Sequence, residues 1–125
     1  MARVLIIDDS PTEVHQLKLM LERNSHTVLT ANNAVDGIAL CNKEKLDAVL
    51  MDIVMPGLNG FQATRQLAKN PLTQHIPVVI ITTKDQETDK IWGIRQGARE
   101  FLAKPVTEKM LLTVMDRVLA VETEI

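Results

Sequence analysis

The stretch Val4-Leu5-Ile6-Ile7-Asp8-Asp9-Ser10-Pro11-Thr12-Glu13 decides the fold. Val4–Ile7 is a short, continuously apolar run rich in β-branched residues, the pattern of a strand buried on both faces of a parallel sheet. Two carboxylates close it. Ser10-Pro11-Thr12-Glu13 then reads as a capping box, with Ser10 as N-cap, Pro11 at the first helical position and Glu13 reaching back. Leu17, Met20 and Leu21 continue it as an apolar helical stripe.

The same alternation recurs along the chain. Further short apolar runs lie at Val28–Thr30, Ala48–Met51, Val78–Ile81 and Phe101–Ala103. Helical patterns separate them: Ala34 to about Lys43, then from Asn59-Gly60 to about Lys69, ending before Asn70-Pro71. A fourth spans about Asp85–Gln96 and stops at Gly97, a natural C-terminal glycine. A fifth follows Thr107, with Leu111, Leu112, Met115 and Leu119 on one side. Strands alternating with helices predict an α/β fold, a (βα)5 doubly wound parallel sheet of flavodoxin-like order 2-1-3-4-5. Its active crevice belongs beyond the carboxyl ends of the strands, where strands 1 and 3 diverge.

Length and composition agree. The 125 residues are one domain's worth, with 46% apolar and 24% charged side chains. A net charge of −2 speaks against nucleic acid as a partner, because phosphate backbones demand clustered Lys and Arg. Cys41 is the one cysteine, so no intramolecular disulfide or multi-cysteine zinc framework is available. Purely aliphatic runs such as Val4–Ile7 fall far short of the roughly twenty residues of a bilayer span, and Asp8 comes too soon for a signal peptide. The expectation is a cytoplasmic protein with no membrane insertion.

The strand ends carry the chemistry. Strand 1 ends in Asp8-Asp9, strand 3 in Asp52, strand 4 in Thr82-Thr83, and strand 5 leads into Lys104-Pro105. Singly, each is an ordinary turn or cap; Thr83 with Gln86 itself reads as a capping box. Together they aim three carboxylates, hydroxyls and one ammonium at a single crevice. A carboxylate pair about 4 Å apart repels by about 4 kcal/mol at an effective dielectric of 20. A hard cation relieves such crowding, and an all-oxygen set favours Mg²⁺, which also binds phosphoryl oxygens. Lys104 would offset charge on a phosphoryl group and Thr82 would donate a hydrogen bond to it. Asp52 stands on the central strand and is the candidate nucleophile; Asp8 and Asp9, being adjacent, suit metal ligands.

In this set, Asp8-Asp9, Asp52, Met55-Pro56-Gly57, Gly60, Thr82 and Lys104-Pro105, the chain resembles a receiver domain of the two-component response regulators, CheY-like in being receiver only. The stretches Met51–Arg65 and Thr82–Lys90 further resemble the stand-alone regulators of type IV pilus twitching motility. The resemblance implies one receiver domain over residues 1–125 without an effector domain. It implies that Asp52 accepts a phosphoryl group from a phosphohistidine of a sensor histidine kinase or its phosphotransfer domain. Asp8 and Asp9, with Asp52 and the backbone carbonyl of Val54, hold Mg²⁺. Thr82, the Thr83 backbone and Lys104 contact the phosphoryl group, and Lys104-Pro105 is a cis peptide. Output passes by protein contact across the face of the fourth helix, fifth strand and fifth helix, or the chain drains phosphoryl groups as a sink, as a monomer or weak dimer.

Departures from the family pattern sharpen the reading. The switch aromatic is Phe101, which lacks a hydroxyl; it either swings inward with Thr82 or stays buried throughout. Val54, two residues past Asp52, is apolar and is expected to impede in-line water. Gly93, inside the fourth helix, reads either as a soft point that phosphorylation re-packs or as close packing beside Trp92. His15, His26 and His75 read as solvated, Cys41 as helix packing, and Met20, Met51, Met110 and Met115 as core. An aspartate-nucleophile phosphohydrolase of small substrates is the alternative, but Ile53-Val54 supplies no second Asp two residues on. A flavodoxin-type phosphate cradle would need glycine where Asp8-Asp9-Ser10-Pro11 stands. A pseudo-receiver that only docks would not need the intact acidic set.

Overall fold

A computed structural model describes residues 1–123. The elements alternate strictly: β1 (Arg3–Ile7), α1 (Pro11–Arg23), β2 (Thr27–Ala31), α2 (Ala34–Lys43), β3 (Ala48–Met51), α3 (Gly60–Lys69), β4 (Val78–Thr82), α4 (Glu87–Gln96), β5 (Glu100–Ala103) and α5 (Glu108–Thr123). All strand pairs are parallel, in the order β2-β1-β3-β4-β5. The expected doubly wound sheet is therefore present.

The apolar runs are continuous because each strand is covered on both faces. Leu5, Ile7, Val49, Met51, Val78 and Ile80 point to one side, onto Ala34, Cys41, Ala63 and Leu67. Val4, Ile6, Ala48, Leu50, Val79 and Ile81 point to the other, onto Leu17, Leu21, Leu111 and Met115. Successive residues thus alternate between two cores, the period of a pleated strand.

Local caps set where the helices begin. Ser10 caps α1 through its side chain, which accepts from the Glu13 N–H. The return half of the expected box is absent: the Ser10 N–H donates to Asp8 Oδ1 at 2.9 Å. Asn59 and Gln62 form a reciprocal capping box on α3. Helix α4 begins two residues later than Asp85, and Thr83 does not cap it. The Gln86 N–H donates to Asp89 Oδ2 at 3.2 Å, so Gln86 becomes the N-cap. Gly97 ends α4 at φ +116°, a left-handed position that glycine takes without a Cβ penalty.

Packing sharpens one expectation and corrects two. Of the two readings of Gly93, the structure bears out close packing, but with partners from the sheet, while Trp92 beside it is 48% exposed. A Cβ at Gly93 would lie 2.9 Å from Ile80 Cδ1 and 3.3 Å from Phe101 Cδ2, so the glycine lets β4 and β5 side chains close against α4. Met110 lies on the outer side of α5 and is exposed, while Met51 and Met115 are core. His26 is half-buried, and its Nδ1 accepts from the Ala2 N–H at 3.1 Å.

Candidate functional site

Strand register builds the crevice. Ile7 pairs with Met51, so Asp8 and Asp52 leave neighbouring strands at the same height. Their backbone amides remain tied to the sheet: Asp8 N–H donates to Ala31 O and Asp52 N–H to Ile7 O. Thr82 pairs with Ala103, which sets Lys104 as the next residue, its N–H donating to Thr82 O at 2.9 Å. Four strands thereby deliver residues from both halves of the chain to one rim.

Backbone approach closes the floor. Gly60 opens α3 directly against the end of β3; a Cβ there would lie 2.1 Å from the Asp52 carbonyl oxygen. The Gly60 N–H donates to Ile53 O at 3.0 Å. Any other residue at Gly60 would push α3 away from β3. The Lys104–Pro105 peptide is cis, as expected.

Carboxylate oxygens of Asp8, Asp9 and Asp52 all lie within 4.8 Å of one another. Asp8 and Asp52 are buried and Asp9 is exposed. Lys104 Nζ sits 2.8 Å from Asp8 Oδ2, 3.7 Å from Asp52 Oδ2 and 4.0 Å from Glu13 Oε2, with its side chain 8% exposed. Three crowded carboxylates, all oxygen, one open to solvent, make a donor set that fits a hard divalent cation retaining waters. One ammonium cannot neutralise them alone.

The electrostatics register the crowding. Burial pushes the Asp52 carboxyl above the ordinary carboxylate range, and the Asp8 charge adds to it. Lys104, the Thr82 hydroxyl and the Ile53 N–H pull the other way without cancelling the rise. For Lys104, burial works to lower the ammonium's pKa, but the hydrogen bond to Asp8 and the charges of Asp52, Asp8 and Glu13 outweigh it and hold it above the usual lysine value.

The remaining predicted residues fall around this centre. Thr82 is fully buried at the end of β4, and its Oγ1 accepts from the Lys84 N–H at 3.3 Å. Thr83 is exposed on the loop beyond it. Val54 lies in the β3–α3 loop and is 57% exposed. Phe101 is half-buried on β5, its ring against Gly93 of α4, so it is not sealed in the core. Glu13 is the residue that the sequence reading assigned elsewhere. A capping position explained it locally, and only the return of Lys104 from β5 reveals its second partner.

Comparison with known proteins places this geometry. The model of the response regulator receiver domain matches residues 4–116. Protein PilH of Pseudomonas aeruginosa is 65% identical over 96% of this chain and 99% of its own length. Response regulator PleD of Caulobacter vibrioides is 39% identical over 88% of the chain, which spans 24% of that larger protein. Among solved structures, the Vibrio cholerae chemotaxis protein CheY4 superposes with a TM-score of 0.89 at 28% identity, covering 95% of this chain and 99% of that one. The receiver domain of the Pseudomonas aeruginosa sensor histidine kinase PA1611, solved with magnesium coordinated in its active site cleft, has the same fold: TM-score 0.88 at 23% identity, over 95% of this chain and 98% of that one. Receivers take signals from histidine kinases and are not enzymes that turn over a metabolite. With its acidic rim, its strand order and a family match spanning most of its length, the chain belongs to the response regulator receiver family.

Proposed function

We propose that Asp52 is the phosphoacceptor of an Mg²⁺-dependent signalling reaction. The observation that carries this is the buried Asp52 carboxylate, held between Asp8 and Lys104 at the mouth of the sheet. An Asp52 carboxylate oxygen attacks the phosphorus of a phosphohistidine on a sensor kinase or its phosphotransfer domain. An O–P bond forms, the N–P bond breaks, and the imidazole leaves and takes up a proton. Asp8, Asp9, Asp52 and the Val54 carbonyl would hold Mg²⁺, which supplies countercharge for the phosphoryl oxygens. The magnesium in the cleft of the PA1611 receiver supports that choice of ion.

The chain's own groups do the rest. Lys104 offsets charge on the transferred group, Thr82 donates its hydroxyl to it, and the Thr83 N–H donates from the backbone. Val54, two residues past Asp52, presents an apolar side chain to the approach of water and slows hydrolysis of the acyl phosphate. Movement of Thr82 toward the phosphoryl group opens room for Phe101 to turn inward, which alters the face of α4, β5 and α5. Output then passes by protein contact there, or the chain acts as a phosphoryl sink. Similarity to PilH supports a place in type IV pilus twitching or chemotaxis-like control, in the cytoplasm, as a monomer or weak dimer. Among the described residues no helix is long and apolar enough to cross a membrane.

The test is incubation with a small phosphodonor such as acetyl phosphate and Mg²⁺, followed by mass spectrometry. A single phosphoryl group on Asp52 that hydroxylamine removes, as befits an acyl phosphate, and that is lost in Asp52→Asn and with chelator, is expected. Modification of a different residue, or none, rules the assignment out.

A further inference from the structure

Glu13 stands where a capping box would turn it back on its own helix, yet the Ser10 N–H it would take is held by Asp8 Oδ1 at 2.9 Å. Its carboxylate faces Lys104 instead, with Oε2 4.0 Å from Nζ. The ammonium therefore has three acidic neighbours: Asp8, Asp52 and Glu13. Two of them belong to the carboxylate cluster that fits a divalent cation, and Glu13 does not.

Asp8 has both oxygens engaged, Oδ1 by the Ser10 N–H and Oδ2 by Lys104 at 2.8 Å. A divalent cation on Asp8 would bring its charge against the ammonium at close range, where repulsion in a buried crevice is strong. Lys104 must then give up Asp8. Asp52 sits in the same cluster, so it is no refuge. Glu13 is 37% exposed at its side chain, outside the cluster and already within reach of the ammonium. A lysine's long, flexible stem allows the small swing between the two acceptors.

We propose that Glu13 is a positioning residue that receives the Lys104 ammonium when a divalent cation takes Asp8, and keeps it at the crevice's rim, within reach of an incoming phosphoryl group. This rests on the reading of Asp8, Asp9 and Asp52 as the Mg²⁺ site. Glu13 lowers the cost of metal uptake because Lys104 exchanges one carboxylate for another instead of losing its partner. A second role at Glu13, favourable interaction with the α1 dipole, would alter stability of the fold but not the competition for Asp8.

Calorimetric titration with Mg²⁺ alone, without phosphodonor, tests it on the wild type, Glu13→Gln, Glu13→Asp, Lys104→Met and the Glu13→Gln/Lys104→Met pair. Glu13→Gln should weaken Mg²⁺ binding about threefold, the scale of a partly exposed ion pair. Glu13→Asp keeps the charge but falls short of Lys104, and should also bind more weakly than wild type. With Lys104→Met in place, the Glu13→Gln effect should shrink below about 1.5-fold, the signature of coupling in a double-mutant cycle. An equal loss in both backgrounds, or an aspartate variant that matches wild type, means that Glu13 acts only through its charge at a distance, and the proposal fails. An unchanged Glu13→Gln affinity also overturns it. If wild type itself takes up no Mg²⁺ at millimolar concentration, the assignment of the metal site falls together with this inference.

Discussion

The strands and the rim they end in obey opposite rules. Along the strands, Val4–Ile7, Ala48–Met51 and Val78–Ile81 are buried almost completely, and every side chain meets apolar neighbours. One residue further on, Asp8 and Asp52 are nearly as buried, but they are charged, close together and served by a single lysine. Burial stabilises the first region and strains the second. The fold is held by the sheet interior, and the acids are carried at its edge by backbone hydrogen bonds that the strands would make with any side chains. Chemistry is thereby confined to residues that the core does not need.

That division of labour predicts substitutions of opposite sign at adjacent depth. Leu50→Ala, in the middle of β3, should destabilise by about 2–5 kcal/mol, because the closely packed α1/α5 layer cannot collapse into the space. Chemical denaturation measures it. A loss under about 1 kcal/mol would mean that the sheet interior is not the source of stability. Asp52→Asn, two residues along the same chain, should instead stabilise the metal-free protein. The raised pKa of Asp52 means that the folded state prefers its protonated form. At neutral pH, where Asp52 is held ionised, that rise is a cost to the metal-free fold. The sign follows from linkage. Between the ordinary carboxylate value and the raised one, the folded state binds more protons than the unfolded, so stability falls as pH rises through that window. The gap between Asp52→Asn and wild type should therefore close in acid, below the ordinary Asp value, and open fully above the raised one. A variant less stable than wild type at neutral pH would show that Lys104 more than compensates the crowding.

How much of this was legible in the sequence follows the same boundary. Continuous β-branched runs such as Val78–Ile81 announce buried parallel strands because both faces must be apolar, and the strand ends then locate Asp8, Asp52, Thr82 and Lys104 without further information. The register that brings Asp8 level with Asp52 follows from the fold type. What local pattern could not supply was the partner of any side chain that reaches across the sheet. Glu13 satisfies a capping motif on paper, but Asp8 from the preceding loop takes the amide first. Met110 fits an apolar stripe, yet the side of α5 that it occupies faces outward. Gly93 looks like a weakness in α4 until Ile80 and Phe101 arrive from two strands to fill the space a Cβ would need. Each of these depends on an element distant in the chain.

His26 marks the far end of the sheet from the acids and gives the smallest and most specific check. It lies where the α1–β2 turn, with Ser25 at φ 69°, returns beside the start of β1. Its Nδ1 accepts the Ala2 N–H, a role open only to the unprotonated nitrogen. Burial lowers its pKa and the positive N-terminus adds to that, while Asp116 and Asp47 oppose them without prevailing. The folded state thus prefers neutral imidazole. Stability from this contact is fully present above the ordinary histidine value and is lost as pH falls through it, where the unfolded chain binds a proton that the folded chain resists. Asn can offer an oxygen to the Ala2 N–H without titrating. His26→Asn should therefore keep wild-type stability at pH 8 within about 1 kcal/mol, the scale of one hydrogen bond, and lose the drop below about pH 6.5. Denaturant midpoints across that range decide it. Because the sign is opposite to that of Asp52, the two slopes are separable in one protein: acid weakens the amino end of the sheet and relieves its carboxyl rim. A His26→Asn variant with an unchanged slope near pH 6 would shift the titration to other groups and leave the Ala2 contact without influence on stability.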